Sequence, residues 1–465
     1  MNAELLKQID ILFEQSRSDV IRDTIRFVGI NSEKGEAKPG APFGEGPRKM
    51  LDEVIRVGKE SGFYTNDYNV GVVSLGMSDG EADLGIWLHG DVVPAGDGWV
   101  FEPYNAVEYK GCVVGRGAGD NKGQLAAMLN LFKIFRKLGI DLKYNAAIFV
   151  GSNEETGMFD MKGMDKNPDA RGFLNVCKSP KLSLVPDGGF PVGIGGKGTA
   201  TFRIKSKAPL NGLTFEAGLD ASPGKAEAVF ENAQIPDTIN GCTVEKNRVS
   251  AFTPPRHSAH PDANGNMITI LSSALLENNL VCSSDRYVFE MFRDLSLDVK
   301  GKIFEDGNSS CFTDKLSLYA GSVTCNEGFA ELEVRVRYPA GITFEMIFER
   351  LTEICEEKGF DVTGERRHEP YIRDENTEII NLLASAYNSV TGENSKPYIE
   401  SGATYAHYLP NAYIFGTSAN RPPEGFPEGH GSVHGIDECV SVDRLIIAMK
   451  AYARAILMLN ETELI

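Results

Sequence analysis

The sequence predicts an α/β protein interrupted by an inserted α+β segment, and three observations carry that prediction. Apolar runs suited to buried strands alternate with stretches at helical spacing, the pattern of a sheet with helices on both faces. Several of those runs end abruptly in a histidine or a carboxylate, as at Leu84 to Asp91. From about residue 196 the character changes to strands with β alternation and a few helices, and helical and turn-rich character returns near residue 373. The 465 residues suffice for two or three domains. The expected boundaries are 1–195 and 373–465 for a split first domain and 196–372 for the insertion.

The elements follow in order. Leu5, Ile9, Leu12, Phe13, Val20, Ile21, Ile25 and Val28 recur at helical spacing and predict an amphipathic helix from Ala3 to about Val28, broken near Ser16. A Gly/Pro/Glu-rich loop from Ser32 to Gly46 precedes a helix that Pro47 opens and Gly62 closes. Short strands lead through Tyr68 and Leu75 to the apolar run Leu84–Leu88, which ends in His89, Gly90 and Asp91 before Pro94 stops the ladder. A helix from Lys122 to Leu138 presents Leu125, Met128, Leu129, Phe132 and Phe135, with Gly139 as its stop. The run Ala146–Val150 leads into Glu154 and Glu155, and Leu182–Val185 ends at Pro186-Asp187. In the insertion, β alternation begins at Thr199–Ile204 and recurs at Glu331–Tyr338. Helices are expected there near Asn264–Glu277, Asp285–Leu295 and Phe344–Lys358. Helices from about Thr377 to Thr391 and Val442 to Leu459 mark the return.

Composition excludes several classes of function. A formal charge of −18 argues against nucleic acid or an anionic membrane as partner, because both need a basic surface. No basic-then-apolar leader and no span of membrane length is read, so a cytoplasmic protein is expected. The eight cysteines include no C-x-x-C pair and predict neither a disulfide framework nor a zinc knuckle.

Residues two apart on a strand face the same way, so the Asp91 carboxylate can orient the His89 imidazole, as metal-binding histidines are usually supported. In open α/β sheets the edge beyond the strands' carboxyl ends is where sites are built. His89, Asp120, Glu155 and Asp187 fall just after apolar strands or at a helix start, and with His434 from a turn-rich segment they offer mixed histidine and carboxylate ligation, the mark of a catalytic metal site. Glu154 is left over beside them, placed as a general base. Taken without the other motifs, Asp120 reads first as a helix N-cap, and His260 can be read as a surface histidine in the polar loop Pro254 to Pro261. Arg335 and Arg337 share one strand face and could be salt-bridged, and His430 is read as solvated. Gly115 to Gly119 lacks the ending of a phosphate loop.

The segments His89-Gly90-Asp91-Val92-Val93-Pro94, Gly117 to Gly123, Asn153-Glu154-Glu155-Thr156-Gly157, Pro186-Asp187 and Val433-His434 together resemble a known family. It is the co-catalytic zinc aminopeptidase-fold family that includes carboxypeptidase G, succinyl-diaminopimelate desuccinylase, acetylornithine deacetylase and aminoacylase. The length of the insertion and the Val-Arg-Tyr-Pro and Ala403-Thr404-Tyr405 segments look most like its PepV-type dipeptidases. The resemblance implies a zinc aminopeptidase-like catalytic domain, a mixed sheet flanked by helices, with an inserted α+β lid. It implies two Zn2+ ions, with Mn2+ or Co2+ as substitutes: His89 and Asp187 on one, Glu155 and His434 on the other, and Asp120 bridging. Asp91 would orient His89, Glu154 would be base and then acid, and the Asp120–Asn121 peptide is expected to be cis. Ser258-Ala259-His260 resembles the oxyanion-stabilising histidine of the family, and Arg337 the arginine that grips a substrate carboxylate. Ala403, Thr404 and His407 are the remaining candidate substrate contacts.

The expected activity is hydrolysis of dipeptides by a metal-bridging water that Glu154 deprotonates, with a small peptide as the only partner. A monomer is favoured, a homodimer being the alternative. Other readings are an N-acyl amino acid deacylase or carboxypeptidase, and a catalytically silent peptide-binding protein on the same fold. Two departures qualify the likeness. His407 stands where the PepV-like pattern has arginine, which replaces a fixed charge by a titratable one, and Asp437 stands in the asparagine position of the His-x-x-Asn-Glu pattern.

Overall fold

The computed structural model describes residues 3–163, 171–218, 224–232, 234–252, 265–304, 316–417 and 422–463. They divide into two compact units, Met1–Gly195 with Ile372–Ile465, and Gly196–Tyr371. His257, Ser258, Ala259 and His260 lie outside the described residues.

The first unit is built on a mixed sheet. From one edge its strands run Tyr64–Asp67, Val72–Gly76, Ala146–Gly151, Leu84–His89, Leu182–Val185, Ala412–Ile414 and Gly193–Gly196. Leu84–His89 lies parallel to both neighbours, Leu84 opposite Ala146 and Leu182, so the polar residues that follow all three strands emerge at one edge. Ala412–Ile414 continues the parallel set beside Leu182–Val185, whereas Val72–Gly76 pairs antiparallel with Ala146–Gly151. The central strands are buried on both faces, which is why they read as continuous apolar runs rather than alternating ones.

Helices supply the burial. Ala3–Gln15 and Arg17–Val28 are separated at Ser16, the break expected there. Glu45–Glu60 opens two residues before Pro47, which therefore sits in the first turn, where a missing N–H has no intrahelical role. Gly123–Lys137 is buried on nearly every face rather than along one stripe, because it packs against Arg17–Val28 and Val442–Leu459 as well as the sheet. Glu378–Thr391 packs on Val442–Leu459. On the sheet, Trp87 stacks on Phe149 at 4.3 Å between ring centroids and meets Phe173 edge-on at 4.9 Å.

The second unit holds an antiparallel sheet in the order Thr243–Glu245, Arg248–Phe252, Lys225–Phe230, Leu213–Ala217, Ser317–Asn326, Phe329–Tyr338, Gly198–Ser206 and Phe360–His368. Met267–Glu277, Arg286–Leu297 and Phe344–Glu357 contribute to its core. Along Phe329–Tyr338 the side chains of Leu332, Val334, Val336 and Tyr338 are buried and Arg335 and Arg337 face the other way, as the alternation predicts. Among the described residues no helix is long and apolar enough to cross a membrane, and the seven cysteines carry free thiols.

Candidate metal centre

His89 is the last residue of its strand and is almost wholly buried. Its Nδ1 lies 3.0 Å from the Asp91 carbonyl oxygen and 3.6 Å from Asp91 Oδ1. A carbonyl only accepts, so Nδ1 carries the hydrogen and Nε2 is left to face the site. The ring is thus held by the Asp91 main chain, with the Asp91 carboxylate also lying beside Nδ1. That carboxylate has further partners: Oδ1 accepts the Glu154 N–H and Oδ2 the Glu155 N–H, each at 3.1 Å.

Asp120 joins two histidines. Its Oδ1 is 2.8 Å from His89 Nε2 and its Oδ2 is 3.2 Å from His434 Nε2. The Asp120–Asn121 peptide is cis, as expected. Asp120 caps no helix: it lies inside the kinked turn Ala118–Lys122, and the following helix has Lys122 at its N-cap position. His434 Nε2 is also 3.1 Å from the Glu155 carboxylate, and Asp187 Oδ2 is 3.8 Å from His89 Nε2. Ligand atoms of His89, Glu154 and Asp187, and those of His89, Asp120 and Glu155, come within 4.8 Å of one another. The five predicted ligands and Glu154 therefore converge on one place.

The electrostatics show what such a cluster needs. Burial pushes Glu154 well above the usual carboxylate range and the charge of Asp187 adds to it. Asp187 is raised likewise by burial and by Asp120. Burial alone would raise Asp120 too, but hydrogen bonds from His434 and His89 hold it far below. Burial works against protonating His89, yet Asp120 and Asp91 keep its imidazole well above the ordinary value. Where a histidine nitrogen faces carboxylate oxygens this closely, a proton or a metal cation must lie between them. Two divalent cations fit this donor set, which is all oxygen and imidazole nitrogen and has one carboxylate turned to both sides.

A second set of buried groups, given no role by sequence reasoning, holds this arrangement. Glu438 Oε1 accepts the N–H groups of Gly119 at 2.8 Å and Asp120 at 2.9 Å, and Oε2 that of Gly117 at 3.1 Å. Arg116 Nη1 bonds Glu438 Oε2 at 2.6 Å, and Nη2 reaches the His434 carbonyl at 3.3 Å. That carbonyl belongs to a residue with φ of +61°, a left-handed conformation that a histidine rarely adopts without support. Asn121 Nδ2 donates to the Pro186 carbonyl at 3.0 Å and so ties the Asp120 turn to the Asp187 turn. The signal was present in Gly117–Asn121 and His434–Glu438, but the sequence does not say that one segment wraps the other.

His430 is not simply solvated. Its Nδ1 pairs at 2.5 Å with the buried Asp437, whose Oδ1 also accepts the N–H of Val100 at 3.0 Å and of Phe101 at 2.9 Å. Thr404 Oγ1 accepts the Ala406 N–H at 3.2 Å, and His407 Nδ1 lies 3.2 Å from both the N and the O of Thr404, so both side chains shape their own turn. Ala403, beside them, is half-buried. Arg337 is placed in the second unit near Lys197, whose ammonium is pulled down by burial and by the charge of Arg337.

The profile of peptidase family M20/M25/M40 matches residues 86–458, a span that takes in every one of these residues. The chain belongs to that family. This M20 member is therefore a hydrolase, and the resemblance drawn from its motifs holds at the level of the family. A Staphylococcus epidermidis protein named "Putative dipeptidase" is 27% identical to it over 474 residues, covering 94% of this chain and 96% of the relative. Human carnosine dipeptidase 1 superposes on this M20 chain with a TM-score of 0.61 at 15% identity, covering 98% of this chain and 100% of the other. A Bacillus subtilis peptidase described as dinuclear and metal-binding superposes with a TM-score of 0.51 at 11% identity, covering 97% and 99%. These two likenesses show the fold.

Proposed function

We propose that the protein is a dipeptidase that works with two divalent cations, zinc first among them. The observation that carries this reading is Asp120, one oxygen turned to His89 and the other to His434, with Glu154 beside them. His89 and Asp187 would hold one cation, Glu155 and His434 the other, and Asp120 both. When bound, the cations supply Lewis acidity to a water and to the scissile carbonyl. Glu154 takes a proton at its carboxylate from the attacking water and returns it to the leaving amine nitrogen. Its buried place among other carboxylates raises its proton affinity well above that of an ordinary carboxylate, which suits a base that must also give the proton back. The Asp91 carboxylate aims it by holding its N–H. The staphylococcal relative's name supports the substrate class, and the motif pattern supports Arg337 as the group that holds a substrate carboxylate and His260 as the support of the oxyanion.

The test is a panel of free and N-acetylated dipeptides given to the zinc-loaded protein and to Glu154→Gln. Free dipeptides should be cleaved by the parent alone, with both proteins carrying two zincs per chain. Cleavage of only the N-acetylated compounds would replace the dipeptidase with a deacylase; turnover by Glu154→Gln would remove Glu154 as base. Arg337→Ala should raise KM about tenfold or more while leaving zinc content unchanged. An unchanged KM would remove the carboxylate contact.

A further inference from the structure

Four consecutive N–H groups at the end of the strand Ala146–Gly151 are held by two buried carboxylates. Asp91 takes those of Glu154 and Glu155; Asp160 Oδ2 takes those of Ser152 at 2.8 Å and Asn153 at 3.0 Å. The same Asp160 oxygen accepts the Tyr405 hydroxyl at 2.6 Å, and both residues are fully buried. One oxygen atom thus joins the segment that carries Glu154 and Glu155 to the Ser401–His407 turn, 245 residues away in the chain.

The surroundings are shaped for this junction. Gly151 faces it without a side chain, and a methyl group there would overlap both Tyr405 Oη and Asp160 Oδ2. The Tyr405 ring packs edge-on against Trp87 at 6.0 Å between centroids, which fixes the direction of its hydroxyl. Asn153 Oδ1 accepts the Phe159 N–H at 3.0 Å, so the loop that brings Asp160 back is closed on the same segment. Asp160 is neither a predicted metal ligand nor a predicted contact with substrate.

We propose that Tyr405 and Asp160 are positioning residues for hydrolysis: their buried bond sets the Ser152–Glu155 segment against the Ser401–His407 turn, so that Glu154 is aimed from a fixed backbone. The proposal rests on Glu154 being the base. A small displacement of a reacting group costs far more in turnover than in binding, so the clasp acts on kcat.

Tyr405→Phe, Asp160→Asn, the double variant and Glu154→Gln, all zinc-loaded, would be compared for kcat, KM, zinc content and thermal midpoint. Tyr405→Phe keeps the ring on Trp87 and removes only the hydroxyl, so it decides the matter even where Asp160→Asn folds poorly. The expected result is a kcat lowered about tenfold to a hundredfold, with KM within about twofold, two zincs retained, and a double variant no worse than its slower parent. A Tyr405→Phe kcat within about twofold of the parent, or a loss that merely follows zinc or folded protein, would overturn the clasp. Normal Tyr405→Phe with a dead Glu154→Gln removes the clasp alone; an active Glu154→Gln removes the base and the clasp with it.

Discussion

Asp120 spends its two oxygens on different histidines, and neither on the helix that follows it. Its place in the candidate cluster was legible from the company it kept in the sequence, whereas the alternative as a cap was legible only locally and did not survive. What sequence could not supply was the support behind each candidate ligand. The His89 ring is fixed by a backbone carbonyl, which no side-chain pattern announces, and His430 lost its expected solvation to a buried aspartate seven residues on. The Arg116–Glu438 pair spans 322 residues and is buried at both ends, so no local pattern connects its members. Glu438→Gln leaves the Arg116 guanidinium buried without its counter-charge, and a loss of about 3 kcal/mol is expected in urea denaturation, together with weaker zinc retention. A surface pair would cost less than about 1 kcal/mol, so the size of the effect is itself the check. Asp160 adds a pH dependence. Burial raises its carboxyl from the usual 3.8 to about 7, with Asp91 adding to the shift. The folded state therefore binds this proton more tightly than the unfolded chain, and the contribution of Asp160 to stability falls as pH climbs from about 4 to about 7. Asp160→Asn should gain on the parent in denaturation midpoint between pH 5 and pH 8; parallel curves would refute the shift.

At the scale of elements, the parallel strands were the legible part. An apolar run that stops at a charged residue needs no long-range knowledge to be recognised, and three of them delivered His89, Glu154 and Glu155, and Asp187 to one edge. The helix Gly123–Lys137 was legible as a helix but not as a buried one, since its surroundings come from segments at both ends of the chain. Close approaches of backbone were not legible at all. Gly416 sits against the Gly188 carbonyl, next to Asp187, so that any side chain at 416 would collide with main chain. Gly416→Ala should cost about 1–3 kcal/mol and lower zinc occupancy by displacing the Asp187 turn. Gly392, at φ +74° with open space around it, is the control: alanine there should cost about 1 kcal/mol of stability and leave zinc and turnover untouched. Equal loss of zinc in both variants would show that the Asp187 turn is not held by that contact.

For the whole molecule, a net charge of −18 and a cluster of carboxylates that could hold metal ions favour cation binding by the folded state. Any cation that binds the native protein and not the unfolded chain stabilises it by mass action, about 4 kcal/mol at a thousandfold excess over Kd. Exhaustive chelation should therefore lower the thermal midpoint by several degrees or more, and zinc should restore it. A midpoint indifferent to chelator would mean that no cation is held at this cluster.

The order in which the donors occur along the chain also has a bearing on biosynthesis. His89, Asp120, Glu155 and Asp187 are made early, whereas His434 follows only after the whole unit Gly196–Tyr371. At ordinary translation speeds about 10–50 s separate Asp187 from His434 on the ribosome. During that interval the growing chain would hold only part of the candidate site. His434, whose carbonyl Arg116 contacts at 3.3 Å, would be the last of these groups to arrive. If these residues hold the metal, timing and supply during synthesis would bear on its loading alongside affinity.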